Sequence, residues 1–107
     1  MSTYHKLVRD YIPQIIEQNG KSCLTSILSD QEYRAALKEK VTEEAEELVT
    51  AETKEEIIEE AADMLELLHV IAEMNGTSIQ EIEKERKKKK AERGGFKERV
   101  FLVEVDN

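Results

Sequence analysis

Tryptophan is missing from this chain of 107 residues, and cysteine and proline occur once each. The lone Cys23 cannot form an intrachain disulfide and has no second thiol with which to share a metal. Only five aromatic residues are present, Tyr4, Tyr11, Tyr33, Phe96 and Phe101, which points to a thin core. No apolar run reaches the length of a membrane span, and the opening MSTYHKLVRDYIP lacks the apolar stretch of a signal peptide. A soluble, cytoplasmic chain with no membrane partner is therefore expected. The length suits one domain, 1–107. A chain this short buries only a modest share of its surface alone, so a homodimer or homotetramer is expected.

What is abundant is charge. Charged residues make up 37% of the chain and hydrophobic ones 39%, with a net charge of −8. The signs are segregated: positions 43 to 66 carry eleven acids against one base, and positions 84 to 99 carry nine bases against three acids. The first block suits a cation and the second an anion. Overall acidity argues against duplex nucleic acid as the main partner, because neutralising phosphates needs a broad basic surface.

The punctuation is helical. Pro13 near a first turn and Gly20 past a last one bound a short helix, roughly Ile12 to Asn19. Three capping boxes follow, each a hydroxyl residue with an acid three positions on. Ser29 with Glu32 opens a helix running to about Ala51. Thr53 with Glu56 opens one ending near Asn75-Gly76, and Ser78 with Glu81 opens one ending before Gly94-Gly95. Ser22–Leu28 and the terminal VFLVEV have aliphatic, β-branched character and read as two short paired strands. The expected fold class is mainly α, with that small β element.

On a helical wheel at about 100° per residue, Ile57, Ala61, Met64, Leu68 and Ile71 form the core stripe of the later acidic helix. Glu55, Glu59, Glu66 and Glu73 oppose it. Glu60 falls at about −60° and Asp63 at about −120° from Ile57, among apolar neighbours. In the earlier acidic helix Leu37, Val41 and Leu48 form the stripe. Glu44 lies about 20° from Leu37 and Glu47 about 80° from it, with Glu43 nearer solvent. An ionised carboxylate held away from water costs several kcal/mol unless it is paired or binds a cation. Glu47 alone would pass as a boundary residue that reaches outwards. Two i, i+3 pairs on consecutive helices favour a shared cation, and all-oxygen ligands suit Mg²⁺, with Mn²⁺ as a substitute.

Other residues read plainly. Cys23 is taken as buried filler, Tyr11, Tyr33 and Phe96 as packing residues, and His69 as facing solvent. Lys87 to Lys90 are read as a solvated helix face.

The motif EEAEE at Glu43–Glu47 reads as EExxE, and EAAD at Glu60–Asp63 as ExxD. In this order, and flanked by KLVRDYIP, ILSDQEY and ERGGFKERVFL, they resemble the MazG-like all-α nucleoside triphosphate pyrophosphatase superfamily, which includes phosphoribosyl-ATP pyrophosphohydrolase. The resemblance implies a helical bundle completed by dimerisation and Mg²⁺-dependent cleavage between the α and β phosphates of a nucleotide. It implies Glu44, Glu47, Glu60 and Asp63 as metal ligands, with Glu43 and Glu44 serving catalysis, Glu43 as an auxiliary ligand or by orienting the attacking water. Lys6, Arg9, Arg93 and Arg99 are the cationic candidates for the phosphates.

Substrate identity stays open, since pyrimidine-selective members stack the base on tryptophan. The leading reading is a nucleoside triphosphate pyrophosphohydrolase that tends the nucleotide pool. The alternatives are phosphoribosyl-ATP hydrolysis in histidine synthesis and a non-catalytic helical oligomerisation module.

Overall fold

The structure, a computed structural model, describes residues 5–106 and is built from four helices among them: α1 (Ile12–Gln18), α2 (Asp30–Thr50), α3 (Lys54–Met74) and α4 (Ile79–Arg93). The chain divides into two compact units, Met1–Leu67 and Leu68–Asn107, with the boundary inside α3.

Local chemistry accounts for each helix end. At α2, Ser29 Oγ accepts from the Glu32 amide at 3.3 Å, and Glu32 Oε1 accepts from the Ser29 amide at 3.0 Å. Both orphan donors are satisfied, and the Ser29 contacts hold the Glu32 carboxyl below its usual range. At α3, Thr53 Oγ1 accepts from the Glu56 amide at 3.1 Å, while the Glu56 carboxylate reaches one residue further back, to the Glu52 amide. Ser78 caps α4 through the Glu81 amide at 3.2 Å.

The end of α3 is a Schellman turn. The Thr77 amide reaches the Ala72 carbonyl at 2.9 Å and the Gly76 amide the Glu73 carbonyl at 3.2 Å. Gly76 takes φ +72°, a conformation in which any side chain is strained.

The β element expected from Ser22–Leu28 and the C-terminal run is absent: the described residues contain no strand. Leu24 is 100% and Ile27 98% exposed, and Val100 to Val103 are all exposed. β-Branched composition expresses fit to a pleated, half-buried surface, and two short strands alone are at best marginal. The aromatic and thiol expectations also need correction. Tyr11 and Phe96 are exposed, with Tyr33 alone half-buried, and Cys23 is exposed. His69 is half-buried. In α4 every residue from 80 to 93 is exposed, which agrees with a solvated charged face.

Up to Leu67 the core stripe of α3 is rotated from its expected position, while beyond it Ile71 is half-buried and Ala72 buried. Met64 and Leu67 are half-buried together with Glu60 and Asp63, whereas Ile57, Ile58, Ala61, Leu65 and Leu68 are exposed. The helix carries two apolar faces, and the wheel averaged them into one. The inward face, centred about 70° from Ile57, is the one that bears the acids. Opposite it on α2, Leu37 and Glu44 are buried.

Ser29→Ala should cost about 1 kcal/mol of stability, read as a lower denaturant midpoint, with Ser29→Asp close to neutral.

Candidate functional site

Five carboxylates meet within the unit Met1–Leu67. α2 presents Glu43, Glu44 and Glu47 at i, i+1 and i+4, and α3 presents Glu60 and Asp63 at i, i+3, spacings that place side chains on adjoining parts of one helix surface. They form two groups, Glu43–Glu44–Glu47 and Glu44–Glu60–Asp63, and within each group one oxygen per residue lies within 4.8 Å of the others. Glu44 belongs to both. It is the buried member, 5% exposed, while Glu43, Glu60 and Asp63 are half-buried and Glu47 is exposed.

The site has too few donors. Glu44 Oε2 and Glu60 Oε2 are buried and receive no hydrogen bond. Three basic residues supply partial compensation. Lys40 Nζ lies 3.4 Å from Glu44 and 3.7 Å from Glu43; Lys6 Nζ lies 3.7 Å from Glu43; Arg9 Nη2 donates to Asp63 Oδ1 at 2.7 Å. Among the described residues, three cations face five carboxylates, which leaves two negative charges.

Two of the acids, Glu44 and Glu60, are pushed towards their protonated forms. Sharing a hydrogen with Glu47, burial, and repulsion from Glu47 and Glu44 push the Glu60 carboxyl up to about 7. Burial, then contact with Glu47, raises Glu44, which Lys40 only partly offsets. Arg9 faces Asp63, and that hydrogen bond raises the guanidinium of Arg9.

The sequence-derived residues thus separate. Glu43, Glu44, Glu47, Glu60 and Asp63 come together, and Lys6 and Arg9 join them as counter-ions of carboxylates. Arg93 is the last residue of α4, and Arg99 stands in the tail at φ +61°; both are exposed and belong to Leu68–Asn107. Lys40, within reach of Glu44 by its place in the sequence, joins the site as a third counter-ion. Its spacing of three and four before Glu43 and Glu44 was the available signal, and only the structure shows its side chain 19% exposed between both. A shallow depression of about 420 Å³ beside Glu43 is lined by Lys38, Glu39, Thr42 and Glu46 as well. All come from the flank of one helix, so it encloses nothing.

A divalent cation would answer the shortage. Two buried oxygens without donors, in an all-carboxylate set, match a hard cation; zinc would favour histidine or thiolate. The residues fit such an ion: Glu44, Glu60 and Asp63 could hold one, with Glu47 and Glu43 beside them.

The pattern of the phosphoribosyl-ATP pyrophosphohydrolase family matches residues 8–90, a span that contains all five carboxylates. The chain belongs to that family. It is a pyrophosphohydrolase family within the MazG-like all-α superfamily. The chain is also 44% identical over 54 residues to an uncharacterized protein of Mycolicibacterium smegmatis, a stretch covering 50% of this chain and 55% of that one. The chain thus spans about half the length of that relative. No solved structure matches it. No helix among the described residues is long and apolar enough to cross a membrane.

The titration of Glu60 and Glu44 has a definite sign. A carboxyl raised in the folded state stabilises the fold when protonated, fully below its ordinary value of 4.5, and that contribution is lost as pH rises through about 7. Glu32 and Glu83, both lowered, titrate beneath this window. With chelator present, the melting temperature should fall between about pH 5 and pH 8. Glu60→Gln should flatten that fall, and millimolar Mg²⁺ should reverse it by replacing the protons. A pH-independent melting temperature in chelator would contradict the shared-proton cluster.

Proposed function

We propose that this chain is a Mg²⁺-dependent nucleotide pyrophosphohydrolase that breaks the α–β phosphoanhydride and releases a monophosphate and pyrophosphate. The observation that carries this reading is the pair of buried oxygens, Glu44 Oε2 and Glu60 Oε2, that receive no donor at a junction of five carboxylates. A scaffold helix gains nothing from such oxygens, because each costs free energy until a proton or cation meets it. This weighs against a purely structural or oligomerisation role.

In this reading Glu44, Glu47, Glu60 and Asp63 hold Mg²⁺, with Mn²⁺ as a substitute. When bound, the ion neutralises phosphate charge and lowers the pKa of water. Glu43 is half-buried at the edge of the cluster and steadied by Lys6 and Lys40. It orients the attacking water and accepts its proton as the new oxygen–phosphorus bond forms at the α phosphorus. The bond to the β-phosphate oxygen breaks, and pyrophosphate departs with that electron pair. Lys6 and Arg9 supply cationic contacts to the phosphates, with arginine offering its fork.

Nucleoside triphosphates and phosphoribosyl-ATP are broken at the same bond, so the carboxylates serve either, and the family match supports both equally. The base contacts would separate them, and this chain has no tryptophan to stack on. The test is product analysis of a panel of ribo- and deoxyribonucleoside triphosphates and phosphoribosyl-ATP, with Mg²⁺ and with chelator. Monophosphate plus pyrophosphate is expected with Mg²⁺ alone. Orthophosphate plus diphosphate would refute the chemistry. Replacing a partner that merely supports a metal ligand costs about 10- to 100-fold, so Glu44→Gln and Glu60→Gln should each lose about a hundredfold or more.

A homo-oligomer accompanies this reading. Ile57, Ile58, Leu65 and Leu68 are 40% to 58% exposed on one face of α3, away from the acids. A second copy of the chain would cover them, as apolar surface of this kind is otherwise costly in water. Light scattering should report a dimer or tetramer, and Ile57→Asp with Leu65→Asp should yield a monomer. A monomeric unsubstituted protein would exclude this assembly.

A further inference from the structure

Arg9 and Asp63 are 54 residues apart in sequence, yet Arg9 Nη2 donates to Asp63 Oδ1 at 2.7 Å. The contact joins two residues with different expected duties, Arg9 towards phosphate and Asp63 towards a cation. Asp63 cannot give one oxygen at full strength to both a guanidinium and a divalent ion. The pair is also built to separate. Arg9 lies in the segment before α1, its side chain is 59% exposed, and one of its nitrogens makes the contact. Guanidinium carries five N–H donors in a rigid fork, so most of its capacity remains for another acceptor. Lys40 offers the contrast: it is 19% exposed and fixed on the same helix as its two partners. Exposed ion pairs contribute little to stability, so releasing Arg9 costs the fold little.

We propose that Arg9 is an exchangeable counter-ion. It neutralises Asp63 until a divalent cation takes that carboxylate, and its freed fork then binds the phosphate chain of the substrate. This rests on the metal reading given above and adds to it a coupling between the two ligands. Cation binding releases the phosphate donor, and phosphate binding keeps that donor off the metal ligand. Each ligand then strengthens the other by the same factor. A residue that only gripped phosphate would leave cation affinity untouched, and one that only steadied Asp63 would weaken cation binding when removed.

The experiment uses the full chain and two probes: Mn²⁺ alone, followed by electron paramagnetic resonance, and inorganic triphosphate offered as its Mn²⁺ complex, followed by calorimetry. In Arg9→Gln, Mn²⁺ alone should bind about two- to fivefold more tightly, the scale of one exposed ion pair. Triphosphate should bind about tenfold or more weakly, the scale of a lost charge-assisted contact. Arg9→Lys, which keeps the charge without the fork, should leave Mn²⁺ affinity within about twofold of the parent and still lose triphosphate affinity. Circular dichroism confirms that both variants fold. Mn²⁺ binding that is weaker or unchanged in Arg9→Gln overturns the exchange, as does unchanged triphosphate affinity. If the unsubstituted chain binds no Mn²⁺, the metal reading itself falls and the exchange with it, an outcome distinct from the other two.

Discussion

Repulsion among Glu44, Glu47 and Glu60 is the constraint around which the rest of the site is arranged. Helix α2 lays Glu44 against the inward face of α3, where Glu60 and Asp63 already stand, and the buried oxygens there have no donors. Hydrophobic contacts beside them are few: Leu37 is buried and Met64 and Leu67 are half-buried. A cluster so placed opposes packing unless its charge is reduced. Protons do this in part, which is why Glu60 is pushed up to about 7. Basic side chains do more, and a divalent cation would do it most completely, because one ion meets several oxygens at once.

The three bases are not equivalent. Lys40 comes from the same helix as Glu43 and Glu44, so helix geometry alone brings it within reach, and its partial burial strengthens the pairing. Lys6 and Arg9 come from the segment before α1 and reach the carboxylates across the tertiary fold. Their contacts tie that segment to the acidic helices, so one set of charges serves both fold and site. A long, exposed base beside a buried acid is also the kind of partner that can be traded for another ligand without unfolding anything.

How much could be read beforehand depended on whether a feature lives within one helix. Spacing inside a helix is fixed geometry, so EExxE and ExxD placed Glu44 and Glu60 inward correctly, and Ser29, Ser78, Gly20 and Gly76 marked helix limits to within a residue or two. Features that depend on a partner element were not legible. The strands of Ser22–Leu28 and the C-terminal run needed a ladder, and composition says nothing of where a ladder partner lies. Phe96 and Tyr11 looked like core because aromatic rings favour burial on average, but burial is a property of the neighbours. Arg9 was placed on phosphate by its chemistry, and nothing local could show that Asp63, 54 residues on, holds it here.

The rotation of α3 shows why a wheel can be right about the acids and wrong about the stripe. Ile57, Ala61, Leu65 and Leu68 define one apolar direction, and Met64 and Leu67 another, with Glu60 and Asp63 on the second. A single mean direction falls between them and predicts one buried face where there are two half-faces. Since both belong to one helix, anything that packs on the first face restrains the backbone that carries Glu60. Ions and packing partners that bind only the ordered arrangement each add to its stability by linkage. A short chain with so little buried apolar surface has reason to recruit both, and in α3 a single helix offers a face to each.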